Sequence, residues 1–131
     1  MERIIARRGG MRTIAFARLR SGQSPGADFY DRLSMMDKVK LDHSFRLMAD
    51  RGRIDNEEKF NRLEGGLFEF KEFQIRMPCA WDRQERGLLI ITHGFIKKRN
   101  RAPSEEIQRA WRIFEEDQEQ AQLRHVRKKE P

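Results

Sequence analysis

The 131-residue chain has a single cysteine, Cys79. It can therefore build neither a disulfide framework nor a cysteine-based zinc site, and nothing speaks against a reducing cytosol. Its three histidines, His43, His93 and His125, are scattered and make no metal-ligand spacing. No metal and no cofactor is expected. No apolar run approaches the roughly 18 residues that a membrane span needs. The arginine-rich N-terminus lacks the apolar segment of a secretory signal, and the residues after it read better as a strand than as a transit peptide. There are no internal repeats. A cytoplasmic protein without a membrane partner is the expectation.

What the chain has is charge. Hydrophobic residues make up 37% and charged residues another 37%, so the core of what length suggests is one domain must be lean. The net charge is +7 and the pI about 10.1, which points to a nucleic acid or an acidic protein as partner. The charge is also segregated. Residues 1–20 carry six arginines against Glu2, and residues 97–101 carry Lys97, Lys98, Arg99 and Arg101 with no acid. From Glu105 to Glu119 the balance reverses, with six acids against Arg109 and Arg112.

The organising stretch is residues 88–103. Leu88-Leu-Ile-Ile91 reads as a strand buried on both faces. His93, Gly94 and Phe95 follow, then the cationic run, then Pro103 and Ser104 as a helix entry. Residues 1–11 read as a basic arm or start-site extension, residues 12–123 as the domain and residues 124–131 as a basic tail. Within the domain, Arg12–Arg20 holds a short alternating strand. Ser24 and Pro25 open a first helix, and a second runs from Met35 to about Asp50, closed by Gly52. This second helix is apolar on two sides. Leu41, Phe45 and Met48 form one arc, and Met36, Val39, His43 and Leu47 form the other, which is expected to pack on the first helix. Phe60–Leu63 suggests a short strand. Leu67–Lys71 alternates, with Phe68 and Phe70 on one face and Glu69 and Lys71 on the other. The next strand, from Ile75 to Trp81, contains Pro78 and should therefore lie at an edge or be bulged. Short spacings predict an antiparallel meander of three to four strands. A last helix from about Ser104 carries Ile107, Ala110, Trp111 and Phe114 on one face. The class is α+β.

Leu67-Phe-Glu-Phe-Lys71, the strand Ile75-Arg76, and Thr92-His-Gly-Phe-Ile-Lys-Lys98 with Pro103 and Glu106-Ile107 resemble the phage-derived, HigB-like branch of the RelE/ParE toxins. The resemblance covers roughly residues 12–116. It implies a RelE-like fold of strand, helical hairpin, antiparallel sheet and C-terminal helix. It also implies the toxin of a type II toxin–antitoxin system, held by an antitoxin that often carries a helix-turn-helix domain. The RelE and HigB branches cleave mRNA on the ribosome, whereas the ParE branch inhibits DNA gyrase. An inactive, phage-derived nucleic-acid-binding protein is a third possibility. The chain departs from the RelE pattern in having no tyrosine near its C-terminus: its one tyrosine is Tyr30.

Cleavage of RNA by its own 2′-OH needs a proton removed from that hydroxyl, a proton given to the 5′ oxygen, and charge on the phosphate neutralised. Fixed lysines and arginines do the last of these, and a lysine crowded by other cations can act as base. The candidates are Lys71, Arg76, Lys97 and Lys98, with His93 in second rank because a lone histidine among apolar residues is more often packed than catalytic. By alternation His93 should share a face with Leu89, Ile91, Phe95 and Lys97. Arg99, Arg101, Arg18 and Arg20 are candidate RNA contacts, although a basic run is more often a solvated corner.

Overall fold

Four consecutive buried residues, Leu88 to Ile91, can be satisfied only if both faces of their strand are covered. The structure, a computed structural model, describes residues 1–98 and 104–129, with side chains described up to residue 125. In chain order it contains β1 (Ile4–Arg8), β2 (Thr13–Phe16), α1 (Pro25–Asp31), α2 (Met35–Arg51), β3 (Phe60–Glu64), β4 (Leu67–Glu72), β5 (Ile75–Trp81), β6 (Leu88–Ile91), β7 (Phe95–Ile96) and α3 (Ser104–Lys129). On one side of β6, Leu89 and Ile91 join Phe45, Met48 and Phe70 beneath α1 and α2. On the other, Leu88 and Ile90 join Ala110, Ile113 and Phe114 of α3. The result is an α+β domain of three layers, with the sheet in the middle.

The sheet differs from a short meander. It has seven strands in the order β1-β2-β6-β5-β4-β3, with β7 pairing beside β6 on the same edge of β5. It is also mixed, because β2 and β6 run parallel, Thr13 opposite Leu88 and Phe16 opposite Ile91. Residues 4–8, read from sequence as part of an arm, form β1, antiparallel to β2. The sequence expectation for Pro78 also fails, since β5 is an interior strand. Its outer edge is shared by β7 at Ile75 and Arg76 and by β6 from Cys79 to Trp81. Pro78 falls in the gap between these two partners, where its carbonyl accepts from Thr92 N at 2.9 Å. Its missing N–H faces that gap, so no ladder bond is lost.

The caps of α2 match their residue types. Ser34 accepts from Asp37 N at 3.2 Å, and Gly52 ends the helix at φ 83 with its N–H on the Met48 carbonyl, a left-handed position that suits glycine. Leu41, Phe45 and Met48 are buried, as their shared arc predicts. The opposite arc is not covered by α1: Met36 and Val39 remain 67% and 59% exposed. The seven-residue α1 turns its ring toward the core instead, where Tyr30 lies 6.0 Å from Phe16 and 6.2 Å from Phe45.

A buried ionic latch ties the start of the chain to its last helix. Arg3 donates Nε and Nη2 to Asp117, at 3.1 and 2.8 Å, and Nη2 also to Asp82 at 2.9 Å. Asp117 is fully buried and further accepts Arg18 N at 2.8 Å. Gln118 donates to Asp82 at 2.7 Å. Burial pushes the Asp82 carboxyl up, but Gln118, the backbone N–H groups of Glu85 and Gln84, and Arg3 together hold it below the usual range.

Candidate functional site

The cross-strand register gathers the cations that the sequence singles out. On β4 and β5, Lys71 lies directly opposite Arg76, and Arg76 in turn opposite Phe95 of β7. Glu69, two residues before Lys71, shares their face. This is the α3 side of the sheet, where the apolar cover includes Leu67 and Ala80; beyond these two residues, the face turns ionic. Like charges placed directly opposite in a ladder are destabilising. The Lys71–Arg76 pair is therefore an arrangement that folding itself does not favour.

Arg76 is held in a defined orientation. Its Nη1 donates to the Phe73 carbonyl at 2.6 Å and the Ile75 carbonyl at 2.9 Å. Phe73 offers its carbonyl from a turn at φ 55. The Nε is buried without a hydrogen-bond partner and lies 4.0 Å from Glu69 Oε2. Among the described residues no hydrogen bond is made by Nη2, and the Arg76 side chain is 13% exposed. Glu69, 3% exposed, also leaves Oε1 without a partner. Burial raises its pKa, and Arg76, Lys71 and Lys97 offset only part of that rise. Sequence reading passed over Glu69, because an acid on the polar face of an alternating strand looks solvated.

Lys97 follows β7, its backbone N–H bonded to the Gln74 carbonyl at 2.7 Å, and its charge reaches Glu69. Lys98 is exposed. Arg99 and Arg101 lie outside the described residues. Arg18 and Arg20 are not part of this cluster. Arg18 donates to the Glu2 and Gly22 carbonyls at 3.0 and 2.6 Å, and Arg20 pairs with Glu119 of α3 at 3.1 Å.

His93 is a packed residue. The strand stops at Ile91 and resumes at Phe95, and Phe95 pairs with Arg76. Residues 92–94 thereby break the alternation, and Phe95 does not share the face of Leu89 and Ile91. His93, 1% exposed, stacks on Phe95 with ring centroids 5.8 Å apart. Its Nε2 lies 3.3 Å from Glu106 and its Nδ1 3.0 Å from the Thr92 hydroxyl. A carboxylate only accepts, so Nε2 carries the proton, and the Thr92 hydroxyl proton is shared between Nδ1 and the Pro78 carbonyl, 3.3 Å away. The neighbouring Gly94 is required by space: a Cβ there would overlap the Phe29 ring.

Burial, and secondarily Arg109, lowers the His93 pKa to about 4. An unfolded histidine titrates near 6.5, so between these values the unfolded chain binds more protons than the folded one. The stabilisation is whole above about pH 6.5 and is lost as the pH falls toward 4, a change on the order of 3 kcal/mol. The urea midpoint should fall between about pH 7.5 and about pH 4.5, and fall less in His93→Gln. Equal falls in the two proteins would show that other groups carry the acid sensitivity.

Tyr30 lies away from the cations, its hydroxyl donating to Asp42 at 2.6 Å. Burial and that carboxylate raise its pKa. Among the described residues no three of His, Cys, Asp and Glu are grouped to hold a metal ion, and no helix is long and apolar enough to cross a membrane. A cavity of about 600 Å³ lies elsewhere, lined by Val39, His43, Leu47, Ile54 and Lys59 among others.

Two comparisons with known proteins bear on this arrangement. The sequence pattern described as phage derived protein Gp49-like (DUF891) matches residues 28–115, a span that includes α2, β3 to β7 and the start of α3. No curated protein matches the chain.

Proposed function

Since the chain belongs to the phage-derived Gp49-like family, within the RelE/ParE-like toxin superfamily, we propose that it is the HigB-like toxin of a toxin–antitoxin pair and cleaves mRNA on the ribosome. The family is typically a toxin with an antitoxin partner. The observation that carries the endoribonuclease reading is the Lys71–Arg76 pair, two opposed cations whose mutual repulsion a phosphate would relieve.

In this reading the RNA backbone lies across the ionic face. Arg76 Nη2 meets a non-bridging oxygen of the scissile phosphate as the 2′ oxygen, its proton passing to solvent, attacks phosphorus and the bond to the 5′ oxygen breaks, that oxygen taking a proton from solvent. Lys71 and Lys97 add charge stabilisation from either side, and a preorganised cation counts for most in a site from which water is excluded. Lys98, Arg99 and Arg101 grip the flanking phosphates and set affinity rather than rate. His93, neutral and enclosed, supports the wall of the site.

The test is primer extension on a message translated in a purified system, with the protein added alone and then with its antitoxin. Cuts that appear only on translated message, and that the antitoxin abolishes, are the expected result. An intact message combined with blocked DNA supercoiling would replace this reading with the gyrase-inhibitor one. Binding to RNA with neither effect would mark an inactive nucleic-acid-binding relative.

A further inference from the structure

We propose that Glu69 is a positioning residue for the reaction, fixing the Arg76 guanidinium from its Nε side so that Nη2 is presented to the phosphate. The proposal rests on the endoribonuclease reading of the ionic face.

Its ground is an unusual pair of unsatisfied atoms. Glu69 is 3% exposed, and among the described residues its Oε1 has no hydrogen-bond partner; Arg76 Nε is likewise buried and unpartnered. The two side chains face each other across 4.0 Å, beyond the 2.7–3.2 Å or so of a formed hydrogen bond. Buried polar groups left open in this way are costly and uncommon, and they call for an explanation. Stability does not supply one, since an apolar residue at position 69 would avoid the cost of dehydrating a carboxylate. The next acid along β4 shows the contrast. Glu72 is also buried, and it is closed by Lys59 Nζ at 2.7 Å.

A phosphate supplies the missing element. Nη1 is anchored to two backbone carbonyls, so the guanidinium can pivot only slightly about that anchor. An anion drawn to Nη2 from the open side is balanced by Glu69 on the Nε side. Charge on both flanks of one planar group then sets its tilt, which a phosphate-binding fork requires. Glu69 also offsets the crowding of Lys71 and Lys97 around Arg76, so the cluster can exist before substrate arrives. Glu69 acts through Arg76 and need not touch the RNA.

The experiment compares Glu69→Ala, Glu69→Gln and Arg76→Ala, and the Glu69→Ala/Arg76→Ala double variant, in the translated-message assay. Ribosome pelleting and thermal unfolding are run on the same preparations. Loss of orientation in a site of this kind costs about tenfold to a hundredfold in rate. Glu69→Ala should cut slower by that factor while pelleting with ribosomes as the parent does. Glu69→Gln should stay about as slow as Glu69→Ala, because its amide has the length of the carboxylate but no charge to balance the anion across the guanidinium. The double variant should be no slower than Arg76→Ala alone, as expected of two residues acting as one unit. Glu69→Ala cutting at the parental rate would overturn the proposal. So would Glu69→Gln cutting at the parental rate while Glu69→Ala is slow, which would make the bulk of the side chain, and not its charge, what matters. So would strictly additive losses in the double variant. A parent that cuts no message overturns the endoribonuclease reading itself, and this proposal with it.

Discussion

Arg76→Ala is expected to slow cleavage of ribosome-bound mRNA by roughly a hundredfold or more, the usual cost of removing one preorganised donor to a developing charge. Ribosome binding should change far less, because the flanking cations remain. Arg76→Lys is not expected to rescue. A lysine cannot reach the Phe73 and Ile75 carbonyls that hold Nη1 while also presenting a second nitrogen outward, and an ammonium has no planar fork. Lys98→Ala, at an exposed position, should instead weaken binding and reduce its salt dependence by about one unit of slope. Primer extension and ribosome pelleting, run side by side, separate the two effects. If Arg76→Ala lost binding and cleavage in equal measure, Arg76 would be an affinity contact and not the centre of the chemistry.

The second large effect concerns stability. Asp117→Ala should destabilise the domain by about 3–5 kcal/mol, the range for breaking a buried ion pair from one side. It leaves Arg3, whose side chain is only 12% exposed, with Asp82 alone and its Nε without an acceptor, and orphans Arg18 N. Urea denaturation followed by tryptophan fluorescence would measure it. Glu119→Ala is the control: its pair with Arg20 is mostly exposed, at 67% and 62%, and such pairs contribute within about 1 kcal/mol. A loss below about 1 kcal/mol for Asp117→Ala would mean that the latch is not worth what buried pairs usually are.

Local pattern and chemistry were readable from the sequence where neighbours along the chain decide the outcome. Gly52 closes α2 as its residue type predicts, because capping depends on a few adjacent residues. The faces of β4 followed from the alternation of Phe68 and Phe70 with Glu69 and Lys71. Lys71, Arg76 and Lys97 were chosen by residue type and resemblance, and the register does place Lys71 and Arg76 side by side. What could not be read depends on partners far along the chain. Ile4 to Arg8 has too many arginines to look like a strand, and it becomes one because β2 offers an edge and Asp117 takes up Arg3. Pro78 looked like an edge residue because sequence does not reveal that two different strands divide one side of β5. The parallel pairing of β2 with β6 was invisible for the same reason. Glu69 escaped notice because its meaning lies in atoms that lack partners.

The placement of β6 also fixes the order in which the domain can assemble as it is synthesised. Without Leu88 to Ile91 the sheet is two ribbons, β1–β2 and β3–β4–β5, with no strand pairing between them, although α2 packs against both. β6 lies between them in the sheet and is the piece that joins them, and Arg3 then waits for Asp117, 114 residues away. Contacts of such separation form late and slowly. Phe95 and Lys97 come later still, so no unfinished product of this message that stops short of them carries the whole ionic face.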